Sequence, residues 1–568
     1  MRVGLTRPDF FPSVSTHYLT ALYSDSRTLD STNFVLSQKL VIFAENQRFM
    51  ATEKYPIGIQ TFEKLIEGGY SYVDKTRFVE KLVKNDGYYF LSRPRRFGKS
   101  LLLSTLHSFF DGKRHLFKDL YIDSADIDWI PSPVLHFDLN TENFKNEDGL
   151  SNLLDRLLED YEEKYSVENK ATTLAGRLSR LIKQIFDQTG RKVVILVDEY
   201  DKPLLGIEEN PELFEKNQSI LKAFFGNLKS MDPYIRFALL TGVARFNNVS
   251  IFSDLNNLND ISLIEEYGEI CGWTEKELLS TFRDGINRLA KKRNETFEAT
   301  TSALRDYYDG YLFCDEGSRL YNPYSVLKSL YAQKIEPYWF ESGSPTFLVN
   351  RVKATGIVLP NLSEEYSSRD ELIEVGLNTS SPVGLMVQTG YLTIDHYDNT
   401  LQMYKLRFPN KEVEIGFAKQ LLPLYIPENG VSSRAFSLKN FRLDLVNGNP
   451  EKFMERLQIL CKIPGYESHS EDNYRNIVWL LCTLCDTDTI SEHHSYKGRS
   501  DLEVFTGNYI YVFEFKYNGK LSRAMAQLTE KDYAGRYALD HRQVYLIAAN
   551  FSTNGPLQGL SEWEIKRL

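Results

Sequence analysis

Apolar positions between residues 55 and 260 follow two alternating rhythms. Tyr88–Leu91, Val134–Leu139, Val193–Val197 and Tyr234–Leu240 are short unbroken apolar runs, rich in aromatic or β-branched side chains, and predict buried strands. Between them the spacing turns helical. Phe62, Leu65 and Ile66 share one face, as do Phe78, Val79, Leu82 and Val83. A helix from Lys99 to Phe110 stops at Asp111-Gly112, and longer polar-apolar helices are expected near 149–165, 172–188 and 211–228. Strands alternating with helices predict a three-layer α/β domain around a mainly parallel sheet.

Beyond residue 260 the pattern changes twice. Residues 260–335 read as a helical lid, punctuated by Tyr307-Tyr308-Asp309-Gly310-Tyr311 and Tyr321-Asn322-Pro323-Tyr324-Ser325, and a mostly helical connector continues to about 430. A second α/β pattern closes the chain: a helix at 474–485, strands near 499–505 and 509–516, a helix at 522–539 and a strand at 543–549. Residues 1–50 have no clear period and are read as a poorly ordered extension, with Met50 as an alternative start. The expected division is 1–50, a core at 51–260, lid and connector at 261–440, and a C-terminal domain at 441–568.

Composition narrows the function classes. With 42% hydrophobic and 25% charged residues the chain is ordinary globular protein. A net charge of −10 gives no global footprint for nucleic acid, so any such contact must use a local basic patch. Five cysteines, an odd and scattered set, fit a reducing cytoplasm, and Cys482 and Cys485 fall within an apolar helical run. No apolar stretch is long enough to span a membrane.

The candidate chemistry begins after the first strand, in Ser92-Arg93-Pro94-Arg95-Arg96-Phe97-Gly98-Lys99-Ser100-Leu101. Strand, tight loop, Gly-Lys-Ser and helix make a phosphate-binding loop, because a helix N-terminus offers open N–H groups and a positive dipole end. Lys99 is expected at the β- and γ-phosphates and Ser100 on Mg²⁺, with Arg95, Arg96, Phe97, Gly98 and Leu101 completing the loop. Arg93 stands where GxxxxGK[ST] has its first glycine. A non-glycine residue does not take φ > 0 cheaply, so a differently shaped start to the loop is expected. About 100 residues on, the Val193–Val197 strand ends in acids: Asp198 is placed to hold Mg²⁺ and Glu199 to polarise a water. Thr241 and Arg245, after the next strand, are candidates for sensing and neutralising the γ-phosphate.

A second constellation lies near the C-terminus. Glu514 and Lys516, two apart in Tyr509–Lys516, share one strand face, and Asp501 on the adjacent strand is in reach. Two carboxylates and a lysine suit metal-dependent phosphodiester hydrolysis, with the acids on Mg²⁺ and the lysine orienting the nucleophile or neutralising the phosphate. Glu471, ahead of the first helix, is a further candidate ligand, and Gln527 on the following helix a further contact. His493 and His494, in the loop before the strand, read as surface residues.

SRPRRFGKSLLLSTL, VVILVDEYDKP, LLTGVARF, YYDGYLF, YNPYSVL and QTGYLTI together resemble the bacterial AAA-ATPase-like family with a C-terminal PD-(D/E)XK nuclease domain, over about 55–568. In that family the loop typically begins RPRRFGKS, so Arg93 is no departure; Ser500 stands where the nuclease motif has proline. The resemblance implies an α/β fold with a P-loop NTPase core, a helical lid and a restriction-endonuclease-like C-terminal domain. The expected cofactors are ATP and Mg²⁺, and the expected partner is nucleic acid, DNA ahead of RNA, with a homo-oligomer left open. The functional expectation is an ATPase coupled to a nuclease-like domain; the alternative is a nucleotide-dependent switch or scaffold whose C-terminal domain only binds a partner.

Overall fold

The computed structural model describes residues 53–568 apart from 169, 208, 246–256, 343–345, 364, 374–380, 427–436, 462–469, 492–493, 496–497, 531–534 and 553–558. The expected extension at 1–50 therefore lies outside the described residues, as does His493.

Tyr55–Leu568 form one compact unit. Its first sheet contains β1 (Gly87–Ser92), β2 (Val134–Asp138), β3 (Val193–Asp198), β4 (Ile235–Gly242) and β5 (Leu258–Asp260), in the order β2-β3-β4-β1-β5. Every pairing is parallel. Such a sheet must be covered on both faces, which is why β3 is buried at every position. The covering helices include α1 (Phe62–Glu67), α2 (Thr76–Lys84), α3 (Lys99–Phe110), α4 (Gly149–Lys164), α5 (Leu174–Thr189) and α6 (Pro211–Gly226). One strand, β4, separates the phosphate-loop strand β1 from the acid-bearing strand β3, so the C-terminal ends of all three open on one edge.

The lid contains α7 (Glu275–Thr281), α8 (Arg283–Arg293), α9 (Phe297–Tyr308) and α10 (Pro323–Ala332). The connector is less helical than expected. Alongside α11 (Thr346–Thr355), α12 (Arg369–Ile373), α13 (Val383–Thr389) and α14 (Lys411–Tyr425) it holds a small antiparallel sheet of β6 (Tyr366–Ser367), β7 (Thr393–Asp398) and β8 (Met403–Arg407).

The C-terminal region opens with α15 (Leu438–Val446), α16 (Pro450–Cys461) and α17 (Glu471–Leu484). There follow β9 (Asp488–Ser491), a two-stranded pair β10 (His494–Ser495) and β11 (Gly498–Arg499), then β12 (Leu502–Phe505), β13 (Tyr509–Tyr517), α18 (Leu521–Glu530), β14 (Gln543–Ser552) and β15 (Gly559–Arg567). Its main sheet runs β15-β14-β13-β12-β9, with β13 and β14 parallel across α18 and the other pairs antiparallel. Even-numbered residues of β13 face α18: Ile510 and Val512 pack with Ala524, Met525 and Leu528. One apolar cluster runs from Phe62 through the connector to Leu560, and the lid helices α7 to α10 pack round a second, built on residues such as Leu278, Phe282, Leu304 and Val326. Among the described residues, no helix is long and apolar enough to cross a membrane.

Candidate functional site

The phosphate loop is built as the helix-terminus argument requires. Gly98 takes φ +101° and leads into α3 without a side-chain cap, which leaves the first N–H groups of the helix to a ligand. Lys99 is buried; its Nζ donates to the carbonyls of Arg93 (2.9 Å) and Pro94 (3.3 Å). The loop's left-handed residues lie away from its start, where the first glycine of the motif is absent. Arg96, at φ +73°, and Gly98 take that conformation, whereas Arg93 does not. Arg93 continues the ladder by giving its N–H to Gly242 O (3.2 Å) and buries its guanidinium, which is 1% exposed. That guanidinium donates to the carbonyls of Ser92 (2.8 Å), Ser262 (2.7 Å) and Tyr267 (3.1 Å) and lies over the Phe313 ring at 4.3 Å. Burial lowers its pKa to about 10. The residue in the glycine position is thus a pin between the loop and the segment after β5.

The aromatic motifs of lid and connector close round the same loop. Phe97 sits edge-on to Tyr311 (4.7 Å) and Phe313 (5.4 Å), and its carbonyl accepts the Gly272 N–H. Arg96 stacks over Tyr324 at 4.3 Å, and Trp339 Nε1 donates to Arg95 O (3.3 Å). Trp339 and Tyr338 are in turn held by the buried Glu412 carboxylate, which accepts both their N–H groups at 2.9 and 2.7 Å.

A cavity of about 370 Å³ opens in front of the loop. Its polar lining comes from Arg95, Arg96, Lys99 and Ser100 with Asn140, Glu199 and Lys202, and Phe97, Gly98 and Leu101 also line it. Apolar lining comes from residues such as Ile59, Leu65, Val73, Trp273 and Leu327. Asp198, Thr241 and Arg245 are not among the lining residues. Thr241 is nonetheless joined to the acid pair, its Oγ1 donating to Asp198 Oδ1 at 2.7 Å. Arg245 lies off this cavity. Its Nη1 pairs with Asp260 at 2.7 Å and its N–H goes to Gln388 Oε1 at 2.6 Å, because the turn after β4 is docked on β5 and α13 rather than on the cavity.

The C-terminal constellation follows from strand register. Leu502 pairs with Phe513 and Glu503 with Val512, so Asp501, the residue just ahead of β12, lies beside the Glu514 end of that pairing. Asp501 Oδ2 accepts the Phe515 N–H (2.7 Å) and Oδ1 accepts from Arg475 Nη2 (2.8 Å). Glu514, 1% exposed, takes the Lys516 ammonium on Oε1 at 2.8 Å, and the same ammonium donates to Phe515 O (2.7 Å). Glu471 joins the group from the first turn of α17. Burial raises its carboxyl, and the nearby charges of Lys516, Asp501 and Arg475 act on it. Gln527 is half-buried on α18, the helix that covers the sheet face carrying Glu514 and Lys516.

Oxygen donors of this kind suit a hard divalent cation. The observed arrangement, however, turns Asp501 to Arg475 and Glu514 to Lys516, and among the described residues no three ligating side chains converge. The donor chemistry of Asp501, Glu514 and Glu471 fits such a cation, while Asp501 and Glu514 are held by the chain's own Arg475 and Lys516.

Residues 56–252 match a family described as predicted AAA-ATPase, and 469–556 match the PD-(D/E)XK nuclease superfamily. An uncharacterized protein in the vnfD 5' region of Azotobacter chroococcum mcd 1 is 34% identical over 515 residues, covering 89% of this chain and 97% of that one. The chain belongs to this AAA-ATPase-like family with a C-terminal PD-(D/E)XK domain. The match to a solved structure, the Aeropyrum pernix ORC2 protein in ADPNP–ADP complexes, covers 61% of this chain and 88% of that one at 10% identity, with a TM-score of 0.21.

Within this AAA-ATPase-like chain, several polar residues at or beside the two sites escape the motif reading. Asp201 is fully buried, and its Oδ2 accepts the N–H groups of Val243 (2.9 Å) and Ala244 (2.7 Å), tying the acid-bearing turn to the turn after β4. Glu503, fully buried on β12, accepts from Ser500 Oγ (2.7 Å), Tyr537 OH and Arg536 Nη2 (3.2 Å). Ser500 thus anchors the start of the PD-(D/E)XK strand through a hydroxyl that a proline lacks. Period-two spacing from Asp501 would have flagged Glu503, and the i, i+4 spacing from Glu471 would have flagged Arg475.

Proposed function

We propose that the chain binds and hydrolyses ATP at the Lys99 loop, and that nucleotide state controls a C-terminal domain acting on nucleic acid, DNA ahead of RNA. The cavity carries this reading, since it lies at the phosphate loop and combines apolar lining that suits a base with polar lining that suits a triphosphate. Lys99 would exchange the Arg93 and Pro94 carbonyls for the β- and γ-phosphates, and the open N–H groups of α3 would take phosphate oxygens. Ser100, whose hydroxyl oxygen suits a hard cation, and Asp198 would hold Mg²⁺, which would supply charge neutralisation for the phosphates. Glu199 would orient the attacking water, and Thr241 fixes the neighbouring Asp198. In the C-terminal domain, Asp501, Glu514, Lys516, Glu471 and Gln527 are the residues proposed to face the phosphodiester.

The test is nucleotide binding and turnover on wild type and Lys99→Ala, with DNA and RNA cleavage in Mg²⁺ or Mn²⁺ on wild type and Glu514→Ala. Turnover lost in the first variant and cleavage lost in the second are expected. ATP turnover that survives Lys99→Ala sinks the ATPase half.

The second reading is a nucleotide-dependent switch whose C-terminal domain only binds a partner. It is favoured by the engagement of Asp501 and Glu514 with the chain's own cations and by the net charge of −10. A binding assay over a salt series separates the two, because nucleic-acid binding weakens steeply with salt.

A further inference from the structure

Arg475 is a buried arginine, and its guanidinium holds Asp501 at 2.8 Å. It projects from α17 one turn after Glu471, on the same face of the helix. Asp501's second oxygen is committed to the Phe515 N–H, so Oδ1 is the oxygen with which it would meet anything outside the protein. That oxygen carries a guanidinium. A cation and a guanidinium at one carboxylate oxygen compete, since each is a positive charge using the same lone pairs in a poorly solvated site.

We propose that Arg475 is the resident counter-charge of the C-terminal site. It positions Asp501 while no divalent cation is bound, and it must leave Oδ1 for one to enter. This rests on the reading of that site as metal-dependent. It explains why carboxylates of the right type and register are arranged against a metal: the site is balanced by a cation of its own. Lys516 does the same for Glu514 from within the strand, but it is tethered two residues away and also held by Phe515 O, whereas Arg475 comes from a separate helix.

The experiment is Mn²⁺ binding to the full chain by calorimetry and electron paramagnetic resonance, in wild type, Arg475→Met and Arg475→Lys, each with and without Asp501→Asn. Removing the competing charge should tighten the Asp501-dependent Mn²⁺ site by about tenfold in Arg475→Met, with a smaller change in Arg475→Lys, a size that corresponds to the weaker end of measured close charge pairs. Unchanged or weaker Asp501-dependent binding in Arg475→Met overturns the proposal while leaving the metal-dependent reading intact. Absence of any Asp501-dependent Mn²⁺ binding in every variant overturns both. If Arg475→Met does not fold, judged by circular dichroism, Arg475→Lys decides: tighter binding supports the competition, and equal or weaker binding ends it.

Discussion

Gly390 lies so close to Pro94 that a Cβ at 390 would stand 2.7 Å from the proline Cβ. Its backbone is left-handed, at φ +88°. The QTGY motif is therefore a wall of the phosphate loop, some 300 residues from it in sequence. Gly390→Ala should cost about 1–2 kcal/mol for the backbone and roughly 1–3 kcal/mol for the overlap. Thermal unfolding would show the lower Tm and nucleotide titration a weaker affinity; a variant that matches wild type in both would mean the loop yields without strain.

Restoring the missing glycine should harm the protein. Arg93→Gly gives the chain a regular GxxxxGKS, yet it strips the Ser262 and Tyr267 carbonyls of their donor. Unmet buried carbonyls make the expected loss on the order of 3 kcal/mol. Urea unfolding measures it, and a variant as stable as wild type would show the pin to be dispensable.

Thr241→Val keeps the shape of a buried side chain and removes the hydrogen bond to Asp198. ATP affinity should change little, while turnover should fall roughly 100-fold if Asp198 must be held in one orientation, a size typical of losing one preorganised polar contact. Single-turnover assays with saturating ATP separate the two; a loss of affinity with kcat preserved would place Thr241 in ground-state binding.

Asp201 supplies a pH signature. Burial, then the adjacent Glu199 carboxylate, raises it to about 6 from an ordinary 3.8, against the pull of the Ala244 N–H and Lys99. The folded chain then holds this proton more tightly than the unfolded chain, so stability falls as pH rises from about 4 to about 6 and levels off above, by about 3 kcal/mol at most. Asp201→Asn should remove that slope, becoming more stable relative to wild type from pH 4 to pH 7. Parallel stability profiles across that range would show that Asp201 titrates normally.

The parts of the fold with a strong local period were legible in advance. β3 is a continuous apolar run, and α3 is bounded by Gly98 and Asp111-Gly112, so both are found within a residue or two. The connector sheet was not, since Thr393–Asp398 mixes His, Asp and Tyr on a strand whose partner and burial come from elsewhere in the chain. The same holds at the sites. Lys99, Ser100 and Glu199 are announced by a motif and line one cavity. Arg93, Asp201 and Arg475 gain their meaning from carbonyls, amides and a carboxylate brought in by other elements, which spacing along the chain does not encode.

Asn476 follows Arg475 on α17 and meets a different set of partners. Its side chain accepts the Leu359 N–H (2.8 Å) and donates to Ile357 O (3.1 Å) and Tyr425 OH (3.1 Å), while Trp479 stacks on Phe408. A fragment cut at residue 441 or 469 would keep the helix and lose all four of these contacts. The nuclease-like fold is therefore no portable cassette. Grafting it onto another protein, or releasing it by proteolysis, would require residues 357–425 to travel with it, so the smallest transplantable piece is far longer than the fold that gives the piece its name.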